Sequence, residues 1–447
     1  MALNLDKVDP QWAWQQFTPS DKRPWNLASA AHLFRRAGFG ASWSTLHKCA
    51  EQSPHHVIDQ LLKPGAEAEQ FERDMAGLDQ TTLAGGNVEG LTPWWLYRML
   101  HSPDPLFEKL TLFWHGHFAT SAAKVKDIRM MHAQHQLFRW HARGKFGPLV
   151  HAISRDPAML LYLDSATNRK THPNENYARE VMELFCLGTG NYTEKDIQEL
   201  ARAFTGWEVH RKKFVFNEYE HDTGNKTILG RTGNFGGQQG VDIVLEQPVT
   251  ARFIAGKLFR FFVCDEPTAP ADLIEPLAKQ LRDSDFDVGD TVKTILGSEI
   301  FFSDYAIARK IRSPVEMGIG LLRSLQGKAN LNELSTKLAE LGERPFYPPN
   351  VKGWDGGRTW INSATLLGRA NLVHDLVLQM DLGNAPPSSA KSPEEVVDWA
   401  IALLVAGPVS GDARHAIVKL AKRDQSREQQ VRNIIHAVGT LPEFQLC

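Results

Sequence analysis

From Pro105 to Phe118, and again from Ile128 to Arg143, the apolar side chains recur every three or four residues, and that spacing commits these parts of the chain to helix. Leu106, Leu110, Phe113, Trp114 and His117 fall on one face. In the pattern covering Ile128 to Arg143, Met131, His135 and Phe138 share a face while Trp140 points elsewhere, as expected of a helix contacted on more than one side. The same period marks Leu33 to Ala37 before Gly38, Val57 to Leu62, most of Thr250 to Gln326, and the chain from Ser363 onward. Asn176 to Leu187 reads as a helix closed by Gly188, a residue type that tolerates the left-handed turn after a helix. Thr193-Glu194-Lys195-Asp196 has capping-box form and opens a second helix through Ile197, Leu200, Ala201 and Phe204. The short connection between the two predicts an antiparallel helical hairpin.

The period fails in three places. Residues 64–91 are polar and glycine-containing, and are expected to form a loop with one or two helical turns. Residues 207–245 pair Val209, Phe214, Val215 and Phe216 with turn glycines such as Gly224, Gly230 and Gly236. They read as a small β-hairpin, Gly-rich insertion. Residues 345–360 are a Pro/Gly/Trp loop. The expected architecture is therefore mostly α: a Trp/Pro-rich arm at 1–28, a large multi-helix domain at 29–383, and a linker with short C-terminal helices at 384–447.

Composition narrows the class of function. The chain has 447 residues, 42% hydrophobic and 23% charged, which is globular composition. Fifty Lys and Arg stand against 52 Asp and Glu, a balance that gives no general attraction to nucleic acid or to an anionic membrane. Cys49, Cys186, Cys264 and Cys447 form no C-x-x-C pair, so a zinc ribbon or a thioredoxin-type motif is not expected, and Cys186 and Cys264 read as core residues. The longest apolar run near the C-terminus, Trp399 to Val409, is about half of a membrane span. The opening MALNLDKVDPQW shows no signal-peptide pattern. A soluble, cytoplasmic protein is the expectation.

Four segments carry side chains capable of chemistry. In Phe113-Trp114-His115-Gly116-His117-Phe118, two histidines lie two apart, which places them about 200° apart on a helix. The expectation is that Gly116 ends the helix and lets His115 and His117 converge; the plain alternative is one core and one surface histidine. Glu175, Arg179, Glu180 and Glu183 form an acidic helix face with i,i+4 pairing to arginine, which is either a solvated ion-pair array or a buried functional set. His221-Asp222-Thr223-Gly224-Asn225-Lys226 concentrates groups able to bind metal, phosphate or hydroxyls, without forming a phosphate-binding loop motif. Tyr347 to Trp360 sets tryptophans beside glycines, suited to covering a core edge or to stacking on a saccharide.

Together with His32-Leu33-Phe34-Arg35-Arg36-Ala37-Gly38-Phe39-Gly40, the Asp156 to Arg179-Glu180 run, Ala203-Phe204-Thr205-Gly206-Trp207 and Pro348-Pro349-Asn350-Val351-Lys352-Gly353-Trp354, these segments carry a resemblance to the bacterial domain-of-unknown-function family 1800 over about residues 29–372. The resemblance implies a frequent companion, a family-1501 protein similar to alkaline phosphatases and sulfatases. It assigns no catalytic residues.

The residues themselves suggest an enzyme-like pocket where the three polar segments meet, with a metal-dependent hydrolase as one form. His115, His117 and Glu180 would hold a divalent metal such as Zn, Mn or Fe. Glu175, Arg179, Glu183, His221, Asp222 and Lys226 would supply acid–base and anion-binding groups, with or without the metal. The competing expectation is a non-catalytic assembly partner of the family-1501 protein.

Overall fold

A computed structural model describes residues 4–63, 65–382, 385–423 and 426–447. It is 61% helical, and the strands among the described residues form two small antiparallel hairpins. Trp207–His210 pairs with Lys213–Phe216, and Lys226–Ile228 with Arg231–Gly233.

The Pro105–His117 helix runs through the centre and is buried on nearly every side, including Glu108, Lys109, His115 and His117. Asp104 caps its start, accepting from Phe107 N at 3.2 Å, and Pro105 occupies the first turn, where no N–H is required. The helix continues through Gly116, so the glycine does not end it. Ile128–His141, Pro248–Phe262 and Pro314–Leu325 are the other long central helices.

The helical hairpin forms as expected. Thr193 and Asp196 make the reciprocal capping box, and Gly188 takes φ +80°. Within its first arm the geometry changes. Glu175–Glu180 is α-helical, but Val181–Cys186 widens into a π turn, with Leu187 N bonded to Met182 O at 2.9 Å.

Two segments correct the sequence reading. Ala66–Ala84 is a helix of 19 residues, not a loop. Its Ala, Glu and Gln content favours helix even though only Met75 is buried. It is held from outside by Trp94 Nε1 bonding Asp79 at 2.8 Å and by Glu72 pairing with Arg98 and Arg139. Gly237–Leu245, inside the expected β-insertion, is also a helix. Its Gly237 marks a close contact and no turn, since a Cβ there would fall 2.2 Å from the Trp207 ring.

The N-terminal arm packs against the Ala271–Asp283 helix and the turn after Val288–Leu296. Trp14 Nε1 donates to Leu273 O at 2.7 Å, and Phe17 N to Gly297 O at 2.8 Å. The C-terminal helices are tied to the body by Arg35 Nη1 on Leu403 O at 3.2 Å and by Arg369, which bonds Gln445 at 3.1 Å and Arg312 O at 2.8 Å. The boundary expected between residues 383 and 384 lies outside the described residues.

Candidate active site

One recess of about 370 Å³ brings together chemistry from four parts of the chain. The end of the Pro105–His117 helix gives Phe113, Gly116 and His117; the π turn gives Glu183 and Leu184; the Pro248–Phe262 helix gives Phe253, Lys257, Arg260 and Phe261; the tryptophan loop gives Lys352, Trp354 and Asp355. Asp265, Lys310, Glu316 and Glu343 line it as well.

The π turn explains how the polar atoms are held. The segment ends here, and the carbonyls of a last helical turn have no partner within the helix; two of them take side chains: Phe185 O accepts from His117 Nε2 at 3.0 Å, and Leu184 O from Lys257 Nζ at 3.1 Å. A carbonyl only accepts, so Nε2 carries the hydrogen and Nδ1 holds the lone pair. Lys257 Nζ lies 3.1 Å from that Nδ1 and donates to it. Burial, then the nearby Lys257 charge, keep His117 neutral well below the ordinary histidine range.

Lys257 has no carboxylate partner among the described residues. Burial pulls its ammonium down to about 8, and Arg260 and Lys352 push in the same direction. The ring of Phe253 lies 4.7 Å from its nitrogen. Arg260, one turn further along, donates to Asp355 O at 2.7 Å and likewise has no carboxylate partner among the described residues. Asp355 is engaged by Lys352 at 2.6 Å. This wall of the recess is therefore electropositive.

Deeper in, the charges are balanced. Lys310 pairs with Asp265 at 2.7 Å, and Lys109 with Glu316. Lys109 and Lys310 hold Glu316 down at about 2 against its burial. Glu343, accepting from Val315 N at 2.8 Å, is driven up to about 7 by burial.

A family model described as a protein of unknown function, DUF1800, matches residues 32–446. The chain belongs to the DUF1800 family. No curated protein and no solved structure matches it. The match takes in the C-terminal helices, beyond the stretch whose motifs carry the resemblance.

Of the residues expected to form a site, this DUF1800 chain brings His117 and Glu183 to the recess. Glu183 accepts from Tyr192 O–H at 2.7 Å through Oε2. His115 leaves the helix on another side, between Trp95 and Phe346, and its Nε2 accepts from Phe346 N at 2.9 Å. Burial lowers it to about 3. Glu180 is half-buried, raised by burial and then by Glu183. Glu175 and Arg179 sit in a surface array, where Arg179 grips both oxygens of Glu194 at 2.7 and 2.8 Å. His221 bonds Thr205 O at 2.8 Å, Asp222 pairs with Arg202 at 2.7 Å, and Lys226 donates to Gly224 O at 3.0 Å and to Asp222 O. Those contacts fasten the loop to the Glu194–Ala203 helix, away from the recess lining. His115, His117 and Glu180 do not converge, and the described residues contain no group of three His, Cys, Asp or Glu able to hold a metal ion.

The recess residues absent from the sequence reading are chiefly Lys257, Arg260, Lys310, Glu316 and Glu343. One signal was available: Lys257 sits four residues after Phe253 and four before Phe261, a cation inside an apolar helix stripe.

Proposed function

We propose that this recess binds a small anionic substrate and that Lys257 exchanges a proton with it, making the chain an acid–base enzyme. The observation that carries the reading is a half-buried lysine with no carboxylate partner among the described residues, set on the wall of a recess beside Arg260, an exposed cation that has none either. An ammonium partly withdrawn from water is left under-solvated unless something pairs with it, and a bound anion supplies that pairing. His117, neutral and fixed by Phe185 O, positions the amine. The phenylalanines limit water, which strengthens each charge contact inside. A lysine poised near neutrality suits proton transfer better than one at its ordinary value.

The test is competitive acetylation of every lysine in the intact protein across neutral and alkaline pH, read peptide by peptide. Lys257 is expected to titrate near 8 and to be shielded by small carboxylates such as acetate. Labelling of Lys257 that follows the exposed lysines and ignores the anion would end the proposal. The competing reading, a non-catalytic partner of a family-1501 phosphatase- or sulfatase-like protein, expects that second result together with recovery of such a partner by pull-down.

A further inference from the structure

We propose that Lys257 forms an imine with a small 2-oxo acid bound in the recess. The inference rests on the anion-binding reading and adds to it a covalent step and a substrate class.

A neutral amine has two hydrogens and one lone pair. Here both hydrogens have acceptors, Leu184 O and His117 Nδ1, each at 3.1 Å. The valence left for the recess, which Lys257 lines, is the nucleophilic one. A lysine in an apolar enclosure beside another cation is the arrangement that activates an amine toward carbonyl carbon, and Phe253 and Arg260 supply those two conditions. Arg260 also sets the substrate class. It lies at i+3 from Lys257, so the two side chains leave the helix about 5–6 Å apart on one face. An acid whose carbonyl adjoins its carboxylate spans that gap, the carboxylate on the guanidinium and the carbonyl at Nζ. Guanidinium is the side chain best shaped to hold a carboxylate with two bonds.

The step balances with the two reactants alone. The amine nitrogen bonds to the carbonyl carbon, the carbonyl oxygen takes both amine hydrogens and leaves as water, and a C=N bond remains. Nothing is oxidised or reduced. The phenylalanine walls favour this loss of water.

The full chain is incubated with pyruvate and cyanoborohydride at neutral pH, and its peptides are mapped by mass spectrometry. A reduced adduct is expected at Lys257, exceeding the average exposed lysine by on the order of 100-fold because far more of this amine is neutral. Lys257→Met should abolish it, with Lys257→Arg as a second variant that keeps the charge and lacks the reactive amine. Arg260→Met should reduce trapping of pyruvate by more than that of acetaldehyde, which has no carboxylate and loses only what the neighbouring charge contributes to the amine; an equal reduction of both would overturn the carboxylate role of Arg260. Adducts spread over exposed lysines with Lys257 spared, in folded protein, would overturn the imine. If Lys257 then still titrates low and is shielded by acetate, the imine alone fails; if it behaves as an exposed lysine, the anion-binding reading fails with it.

Discussion

Gly353 rests on the carbonyl of Gly116: a Cβ built on it would lie 2.3 Å from that oxygen. Its φ of +82° is itself a conformation that side chains resist. This contact seats the tryptophan loop against the end of the central helix and so closes one side of the recess. Gly353→Ala is expected to cost about 1–3 kcal/mol or more, read as a lower midpoint in thermal unfolding, with altered emission from Trp354 as the loop lifts. An unchanged midpoint would mean that the loop is not seated there.

The two imidazoles should separate under mutation. His115→Ala leaves the buried Phe346 N–H without its acceptor and opens a cavity, a loss of roughly 3 kcal/mol, yet Lys257 should keep its titration. His117→Ala removes a partner of Lys257 directly, and water entering the space should move the lysine upward toward its ordinary value. Parallel denaturant melts and lysine labelling decide it; identical labelling in both variants would contradict the assigned roles.

Glu316 and Lys109 are both buried, so Glu316→Gln leaves an ammonium uncompensated. The expected cost is about 3–5 kcal/mol. The pH dependence follows from the sign of the shift. The folded value near 2 lies below the ordinary 4.5, so the stabilisation is complete above 4.5 and fades as pH falls toward 2. The gap between wild type and variant in urea melts should narrow over that acid range.

Glu343 behaves in the opposite sense. Its folded value near 7 lies above the ordinary 4.5, so the folded state holds a proton that the unfolded chain releases, and stability is lost as pH rises between those values. Glu343→Gln mimics the protonated acid and should flatten this slope, gaining up to about 3 kcal/mol relative to wild type near pH 7. Chemical denaturation at acidic and neutral pH checks it; a variant equally destabilised at both would show that the amide fails to replace the acid.

Local patterns in the sequence were legible where one chemical device decides the structure. Thr193 with Asp196, Gly188, and the apolar stripe from Leu106 to His117 each have a single stable use, and each was found in it. The Ala66–Ala84 helix was missed because it has almost no apolar stripe; intrinsic preference and two arginines hold it. At the site, His117 and Glu183 were visible as residue types, but their separation from His115 and Glu180 depends on which side of a buried helix faces which neighbour. His221, Asp222 and Lys226 carry the vocabulary of a binding loop and are used to pin a turn. Lys257 and Glu316 come from helices far along the chain and reach the recess only in three dimensions; Glu316 also closes the Ser313-Pro314-Val315-Glu316 capping box.

The wide turn at Val181–Cys186 exists because the helix there holds one residue more than regular α winding would place in the same length. Shortening the segment by that residue would turn its last carbonyls by about 100° about the helix axis and withdraw both acceptors from His117 and Lys257 together. The chemistry of the whole recess is thus tied to chain length at a single point, where a deletion would be felt more sharply than most substitutions.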